Sequence, residues 1–286
     1  SMDMSAPFRQ GLMLIGRPKE FFGAMRPMVE AWGNEKYAEQ ALEDIVHGRR
    51  ADIQLKAGLE LTGIGGLDIT HREEQFLNVL HGGLSNSLLG KGIAASERSY
   101  VVYLNKLRHD YFNAVVDGWE KAGKTITDAD YESLATFVNY ATGRGKLPGT
   151  LERAASILNA IFFAPRFVWS RFAAPAQLFT ATPEVRKEVI RSLGTFVAGG
   201  VGLAALLKYQ GWIDIEMDPR SPDFGKGKIA GTNTRLDWWA GYQPIARYIA
   251  QGWTGEGKSQ SGRISEINRL KTVWRSAQSK LAPASG

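Results

Sequence analysis

Leu193-Gly-Thr-Phe-Val-Ala-Gly-Gly-Val-Gly-Leu-Ala-Ala-Leu-Leu207 is the longest uncharged run in the chain, bounded by Arg191 and Lys208. Its reading decides the fold. A helix that is apolar on every side belongs either in a protein core or in lipid. Spanning a bilayer takes about 20 apolar residues, and this run has fifteen, reaching Trp212 only after Lys208. Gly194, Gly199, Gly200 and Gly202 permit another helix to approach closely in either setting. The run is therefore expected to be the buried central helix of a bundle. The alternative is a membrane segment whose apolar surface comes from Leu193, Phe196, Val197, Val201, Leu203, Leu206 and Leu207. Phe162-Phe163 and Phe167-Val168-Trp169 would assist insertion in the second case and pack beneath the helix in the first.

Downstream, Ile213-Asp-Ile-Glu-Met217 alternates strictly, with Lys228 to Ala230 as its partner, so one small hairpin is expected near residues 212–230. Polar turns and aromatics then crowd together as far as Tyr242, and Trp238 to Trp253 return to helical spacing.

Upstream, every segment reads as helix. Residues 1–17 form an extended lead-in, in which Ser1-Met2 reads as a cloning remnant of a piece cut from a longer chain. Pro18 opens a helix that runs to Gly33. Asn34 caps a second, ending at Gly48, and a third covers about Ala51 to Leu61. Thr70 and Glu73 form a capping box ahead of Phe76, Leu77 and Leu80, with a loop between Leu84 and Gly92. Tyr100, Leu104, Leu107, Tyr111, Val115 and Trp119 then make the clearest stripe, with Lys106, Arg108, Asp110, Asp117 and Glu120 off that line. Thr127 with Asp130, Thr150, Phe167 to Phe179, and Thr182-Pro183-Glu184 mark further helices. Ile264, Ile267, Leu270, Val273 and Trp274 mark an amphipathic last one. The expected architecture is all-α. It comprises a single multi-helix domain over residues 18–262 with a sub-boundary near 145–150, a small β-hairpin, and a C-terminal helix with a loose tail over 263–286.

The 286 residues carry 44% hydrophobic and 22% charged side chains, the composition of a folded chain. With no cysteine, this chain has no disulfide, thiolate metal site or cysteine nucleophile. A net charge of +6 and a pI near 9.4 favour an anionic membrane or nucleic acid as partner, although the cations are scattered.

Motifs with chemical meaning are few. Gly252-Trp-Thr-Gly-Glu-Gly257-Lys258-Ser259 satisfies the phosphate-loop spacing, but that loop works only between a buried strand and a helix that starts at its lysine. Here helix precedes it, so a Gly-rich connector is expected. Gly143-Arg-Gly-Lys146 offers amides and cations for an anion nest, or simply ends a helix. Asp214, Glu216 and Asp218 share one face of the alternating segment, a weak cation site without the glycine and distal glutamate of a calcium loop. His47, His71, His81 and His109 lack ligand spacing. Arg235, Asp237, Trp238, Trp239, Tyr242 and Arg247 form the densest aromatic and charged group, either a ligand or partner surface or the filling of a closing knot. No catalytic, metal or cofactor constellation emerges, and no cofactor is expected.

Several blocks resemble segments of giant bacteriophage and prophage proteins. They are Ser5-Ala-Pro-Phe-Arg-Gln-Gly11, Ala95-Ser-Glu-Arg-Ser-Tyr100 on to Leu104-Asn-Lys-Leu-Arg108, Phe137-Val-Asn-Tyr-Ala-Thr-Gly-Arg-Gly145 and Phe162-Phe-Ala-Pro-Arg-Phe167. Asp218-Pro-Arg-Ser-Pro-Asp-Phe-Gly-Lys226, Asn233-Thr-Arg-Leu-Asp237 and Gly241-Tyr-Gln-Pro244 are similar to a large polyvalent protein-associated domain of those chains. The blocks cover most of residues 4–262 in order. The resemblance implies a module without assigned catalytic residues, carried in the phage virion and delivered with the DNA into the host cytoplasm or envelope. Neighbouring modules of the same giant polypeptide, and other virion proteins, would be its partners. The expected role is a non-enzymatic structural or accessory module. The alternatives are a membrane-interacting element that assists translocation of phage cargo and a non-specific nucleic-acid-binding module.

Overall fold

The computed structural model describes residues 6–62, 88–146, 165–239, 241–259 and 263–266. Among the described residues helix dominates, 67% against 6% strand, an all-α architecture with a small antiparallel sheet toward the C-terminus. The contacts divide into two compact units where one domain was expected. The first comprises Ser1–Arg153 with Arg166–Phe196, the second Ala154–Pro165 with Val197–Gly286.

The lead-in to the first unit is not extended. Pro7–Gly11 makes a π-helical turn and Leu12–Leu14 a 3-10 turn, with Ala6, Met13 and Leu14 buried. Helices α1 (Pro18–Gly23) and α2 (Met25–Gly33) divide at Ala24 what the periodicity reads as one helix. Asn34 turns to extended geometry and its side chain accepts from Tyr37 N at 3.2 Å, which caps α3 (Glu35–Val46). Helix α4 (Ala51–Lys56) stops earlier than expected. The chain then runs without regular structure to Thr62.

The centre of this unit is α5 (Leu88–Lys121), whose first turns occupy residues 88–92 of the expected loop. Tyr103, Leu104, Leu107, Tyr111, Phe112, Val115 and Val116 are all buried, a face wider than the predicted stripe, because helices pack on α5 from several sides. Phe21 meets Tyr103 edge to face at 6.2 Å, Phe112 stacks on Tyr131 at 6.1 Å, and Ala31, Ala38 and Val102 pack together. Thr127 and Asp130, the expected helix start, form a capping box for α6 (Asp128–Ala141). Helix α7 (Pro165–Thr180) follows, with Pro175 inside it. The Thr70 to Leu80 and Thr150 to Phe163 predictions lie outside the described residues.

Arg108, which lies off the apolar stripe, is nevertheless fully buried. Its Nε donates to Thr142 Oγ1 at 2.8 Å, Nη1 to the Glu60 carbonyl at 3.2 Å and Nη2 to the Thr142 carbonyl at 3.3 Å. Burial pulls its pKa down to about 10, which leaves it cationic at neutral pH. The irregular segment 58–62 finds its backbone partners in side chains of the same neighbourhood. Asn105 bonds both the N–H and the carbonyl of Thr62, while Asn139 accepts from Glu60 N and donates to Gly58 O. His109 is also buried. Gln54 Oε1 lies 2.9 Å from its Nδ1 and Asn113 Nδ2 lies 3.0 Å from its Nε2, so neutral imidazole with the proton on Nδ1 satisfies both neighbours.

Helix α8 (Pro183–Tyr209) contributes its first half to this unit. Val185, Val189, Ser192 and Phe196 are buried. Tyr111 and Ser192 share a 2.8 Å hydrogen bond, and Arg17 pairs with Glu188 at 2.7 Å.

The second unit holds the rest of α8 and the expected hairpin. Strands β1 (Ile213–Ile215) and β2 (Gly227–Ile229) pair antiparallel with Ile213 opposite Ile229, and β3 (Arg235–Leu236) adds to β2. Helix α9 (Gln243–Thr254) is followed by β4 (Glu256–Lys258) and β5 (Ile264–Glu266). Ile264 therefore begins a strand where a helix was expected; residues 267–274 lie outside the described residues.

Helix α9 works with its polar face inward. Gln243, Arg247 and Gln251, four residues apart on one side, donate to the carbonyls of Phe224, Pro222 and Arg220 in turn. Alternate carbonyls of the 220–224 loop are thereby fastened to one helix face. Ile249 and Trp253 are left exposed.

Candidate functional site

Helix α8 is not wrapped as expected. Its N-terminal half is packed along Val185, Val189, Ser192 and Phe196, and in the second unit the packed line continues through Gly200 and Ala204. These positions recur every three or four residues, one narrow stripe. A Cβ at Gly200 would lie 2.4 Å from Trp239 Cζ3, so only glycine lets the indole lie on the helix. Trp239 is fixed in turn by Nε1 donating to Gly225 O at 3.0 Å.

The rest of the circumference is bare. Ile190, Val197, Val201, Leu203 and Leu206 are 45% to 56% exposed, and Gly194, Gly199 and Gly202 have no neighbour within 4 Å of where a Cβ would be. The best 18-residue window has a mean hydropathy of 1.6, yet only 22% of it is buried. The predicted apolar set therefore splits. Phe196 faces the packed side with Leu193 and Leu207 half-buried, whereas Val197, Val201, Leu203 and Leu206 face outward. At the C-terminal end Tyr209 and Trp212 are exposed, and Lys208 follows the last apolar residue. The central-helix expectation failed because composition measures how apolar a segment is and not what covers it.

The other candidate residues are engaged in structure. Asp218 accepts from Arg220 Nε at 3.0 Å and Lys258 Nζ at 3.3 Å, and bonding to Arg220 holds its carboxyl well below the usual range. Glu216 accepts from Asp218 N, and Asp214 lies 3.9 Å from Lys208. The three carboxylates take separate cations or amides and do not converge, and no group of three metal-ligating residues occurs among the described residues.

The phosphate-loop spacing folds the wrong way round. Gly252 lies inside α9, Gly255 ends that helix at φ +72°, and Gly257 and Lys258 lie in β4. Helix then strand replaces the strand then helix that a phosphate cradle needs. Lys258 is paired with Asp218, while Ser259 N donates to Arg263 O.

At the 143–146 turn the amides are spent as well. Gly143 N donates to Tyr140 O, Arg144 N to Asn139 O and Gly145 N to Ser170 Oγ. In the aromatic group, Arg235 pairs with Asp223 at 2.8 Å and Asp237 accepts from Trp239 N. Trp238 lies over Gly227, Tyr242 N donates to Trp239 O, and Arg247 binds the 220–224 loop. These contacts close a knot. His47 ends α3 on the surface; His71 and His81 lie outside the described residues.

Between α6 and α7 an open cleft of about 730 Å³ is lined by Glu132, Thr136, Tyr140, Trp169, Phe172 and Ala173 among others. Among the described residues its lining has no His or Lys to serve a serine or carboxylate.

No family model, curated protein or solved structure matches the chain.

The sequence reading missed Ile190, Ile249 and the exposure of Trp253, which is 90% bare. A signal was present in α9, where the four-residue spacing of Gln243, Arg247 and Gln251 marks a polar face that must bind something. The apolar residues then fall on the opposite side.

Proposed function

We propose that this chain is a non-enzymatic accessory module of a phage-borne polyvalent polypeptide and that it engages a lipid bilayer through the open side of α8. One observation supports the reading: among the described residues, the one helix long and apolar enough to cross a membrane is only 22% buried over its 18-residue window. A core helix passes a hydropathy test because it is covered, and this one is not. Large bare apolar surfaces on a folded chain mark a site of association.

The ends of the segment favour lipid. Arg191 and Lys208 bracket an uncharged stretch, Tyr209 and Trp212 supply ring systems suited to the headgroup level, and the net charge of +6 attracts anionic lipids. Ile190, Val197 and Val201, which share one side of the helix, contribute roughly 1 kcal/mol each when covered. About 3 kcal/mol in total, added to the attraction between cations and anionic lipid, is the scale of weak reversible peripheral binding. Delivery with phage DNA into a bacterial cell would bring such a surface to the envelope, with neighbouring modules of the same polypeptide as cargo.

Flotation of the purified chain with anionic vesicles tests this against Val201→Lys. Val201 points outward, so lysine leaves the fold intact and removes apolar surface where lipid would sit. The wild type is expected to float and the variant to remain below. If both stay with the buffer, the bilayer is not the partner.

A further inference from the structure

We infer that the cleft between α6 and α7 binds a small organic cation, an amine carried on a flat apolar body. This goes beyond the lipid contact of α8 and does not depend on it. The described lining of the cleft lies wholly within the first unit.

Its walls follow from helical spacing. Glu132, Thr136 and Tyr140 recur every four residues on α6, and Trp169, Ala173 and Gln177 do the same on α7, so one face of each helix lines the space. A volume of about 730 Å³ is in the range that takes a small molecule.

Two polar groups in the α7 wall lack partners. Gln177 is only 8% exposed, yet its side chain makes no hydrogen bond among the described residues, and its amide is not sealed from solvent. The amide is therefore open to the cleft that the residue lines. Two turns earlier on the same helix, Trp169 Nε1 is sealed from water without a partner. Buried polar groups of folded chains are nearly always bonded, so two such groups in one wall point to a bound molecule that carries an acceptor.

Charge selects the occupant. Glu132 is exposed, is the only ionised side chain of the described lining, and pairs with no cation among the described residues. The same lining holds the rings of Tyr140, Trp169 and Phe172, and ring faces attract ammonium and guanidinium groups. An anion would meet a carboxylate there and no compensating cation. Tyr140 is held before any ligand arrives, because a Cβ at Gly145 would run into its ring and its hydroxyl donates to Lys146 O at 3.4 Å. Binding therefore has little left to order on that side.

Three probes of one shape test this by ligand-observed NMR on the full chain. Tyramine, para-ethylphenol and para-hydroxyphenylpropionate place a cation, no charge and an anion on the same phenol. Tyramine is expected to bind saturably, about three- to tenfold more tightly than para-ethylphenol, with the propionate weakest. Glu132→Gln, at an exposed helix position, is expected to cut that margin by about threefold without moving the melting temperature. Gln177→Leu should weaken all three probes alike. Ala176→Trp, at another exposed position of the lining, fills the cleft and should abolish binding altogether, with circular dichroism showing that the variant is folded. Binding that survives Ala176→Trp lies elsewhere and overturns the inference. So do equal affinities for tyramine and the propionate, an unchanged margin in Glu132→Gln, and an absence of tyramine binding. Vesicle flotation reads the α8 proposal separately from all of these outcomes.

Discussion

The two long helices invert what composition suggests. Helix α5 carries charges along its whole length, Glu97, Arg98, Lys106, Arg108, Asp110, Asp117, Glu120 and Lys121 among them, and yet it is the one surrounded by protein. Helix α8 has no charge from 193 to 207 and yet stands largely bare. Burial is decided by what packs against a helix. Charges on α5 are accommodated because partners exist: Asp110 bonds Lys106, Asp117 and Glu120 bind Arg49 and Arg50, and Arg108 is ringed by oxygen acceptors. On α8 only the stripe that meets Trp239 and the first unit's core is covered. Exposed apolar surface adds nothing to folding stability, and the proposed lipid contact is placed on the open side of α8 for that reason.

The sharpest way to break the contrast is to remove the most buried charge on α5. Arg108→Ala is expected to cost more than about 3 kcal/mol, since it opens a cavity and removes four hydrogen bonds at once. Urea unfolding followed by circular dichroism measures it. A loss below 1 kcal/mol would mean that water replaces the guanidinium and that the polar layer around residues 58–62 is not what orders that segment.

Glycines on α8 give a paired test of where its covered side lies. Gly200→Val drives two methyl groups into the Trp239 ring and is expected to cost about 1–3 kcal/mol. Gly202→Ala, two residues on, meets nothing within 4 Å and is expected to stabilise the helix by up to about 1 kcal/mol. Thermal melts of the two variants should move in opposite directions. Equal shifts would mean that the stripe is not confined to one side.

What could be read without a structure follows the same division. Caps were legible at Asn34 and at Thr127 with Asp130 because donor and acceptor lie three residues apart. The α5 stripe was legible because period alone reveals it. Arg108 was not, since the atoms that satisfy it come from Glu60 and Thr142, distant in the chain and unremarkable in themselves. Nor was the exposure of Val201, because Trp239 covers Gly200 while its neighbour is left 54% exposed. The apolar run 193–207 could be picked out by composition, but which of its residues are covered could not, because the covering side chain, Trp239, lies more than thirty residues on.

A gentler probe of the α5 interior is pH. Burial lowers the His109 pKa from the ordinary 6.5, so the folded chain keeps the ring neutral where the unfolded chain takes up a proton. Stability is therefore complete above about pH 6.5 and declines as the pH falls below it. Urea midpoints at pH 7.5 and 5.5 should differ in that direction, and the difference should shrink in His109→Gln. A midpoint that rises on acidification would place the ring in contact with a carboxylate.

The smallest stability effect should come from the boldest change in polarity, and that is why it is informative. Val201→Lys puts a charge in the middle of the most apolar segment. In a wrapped helix it would be ruinous, since an unpaired buried ammonium costs several kcal/mol. On the open side it exchanges a half-exposed β-branched residue for a better helix former, so the change should stay within about 0.5 kcal/mol of zero. Unfolding in urea without lipid reads this directly. A near-zero change combined with lost flotation locates the bilayer contact on a surface that folding does not use. A large destabilisation would show that α8 is covered after all, and the contrast with α5 would vanish.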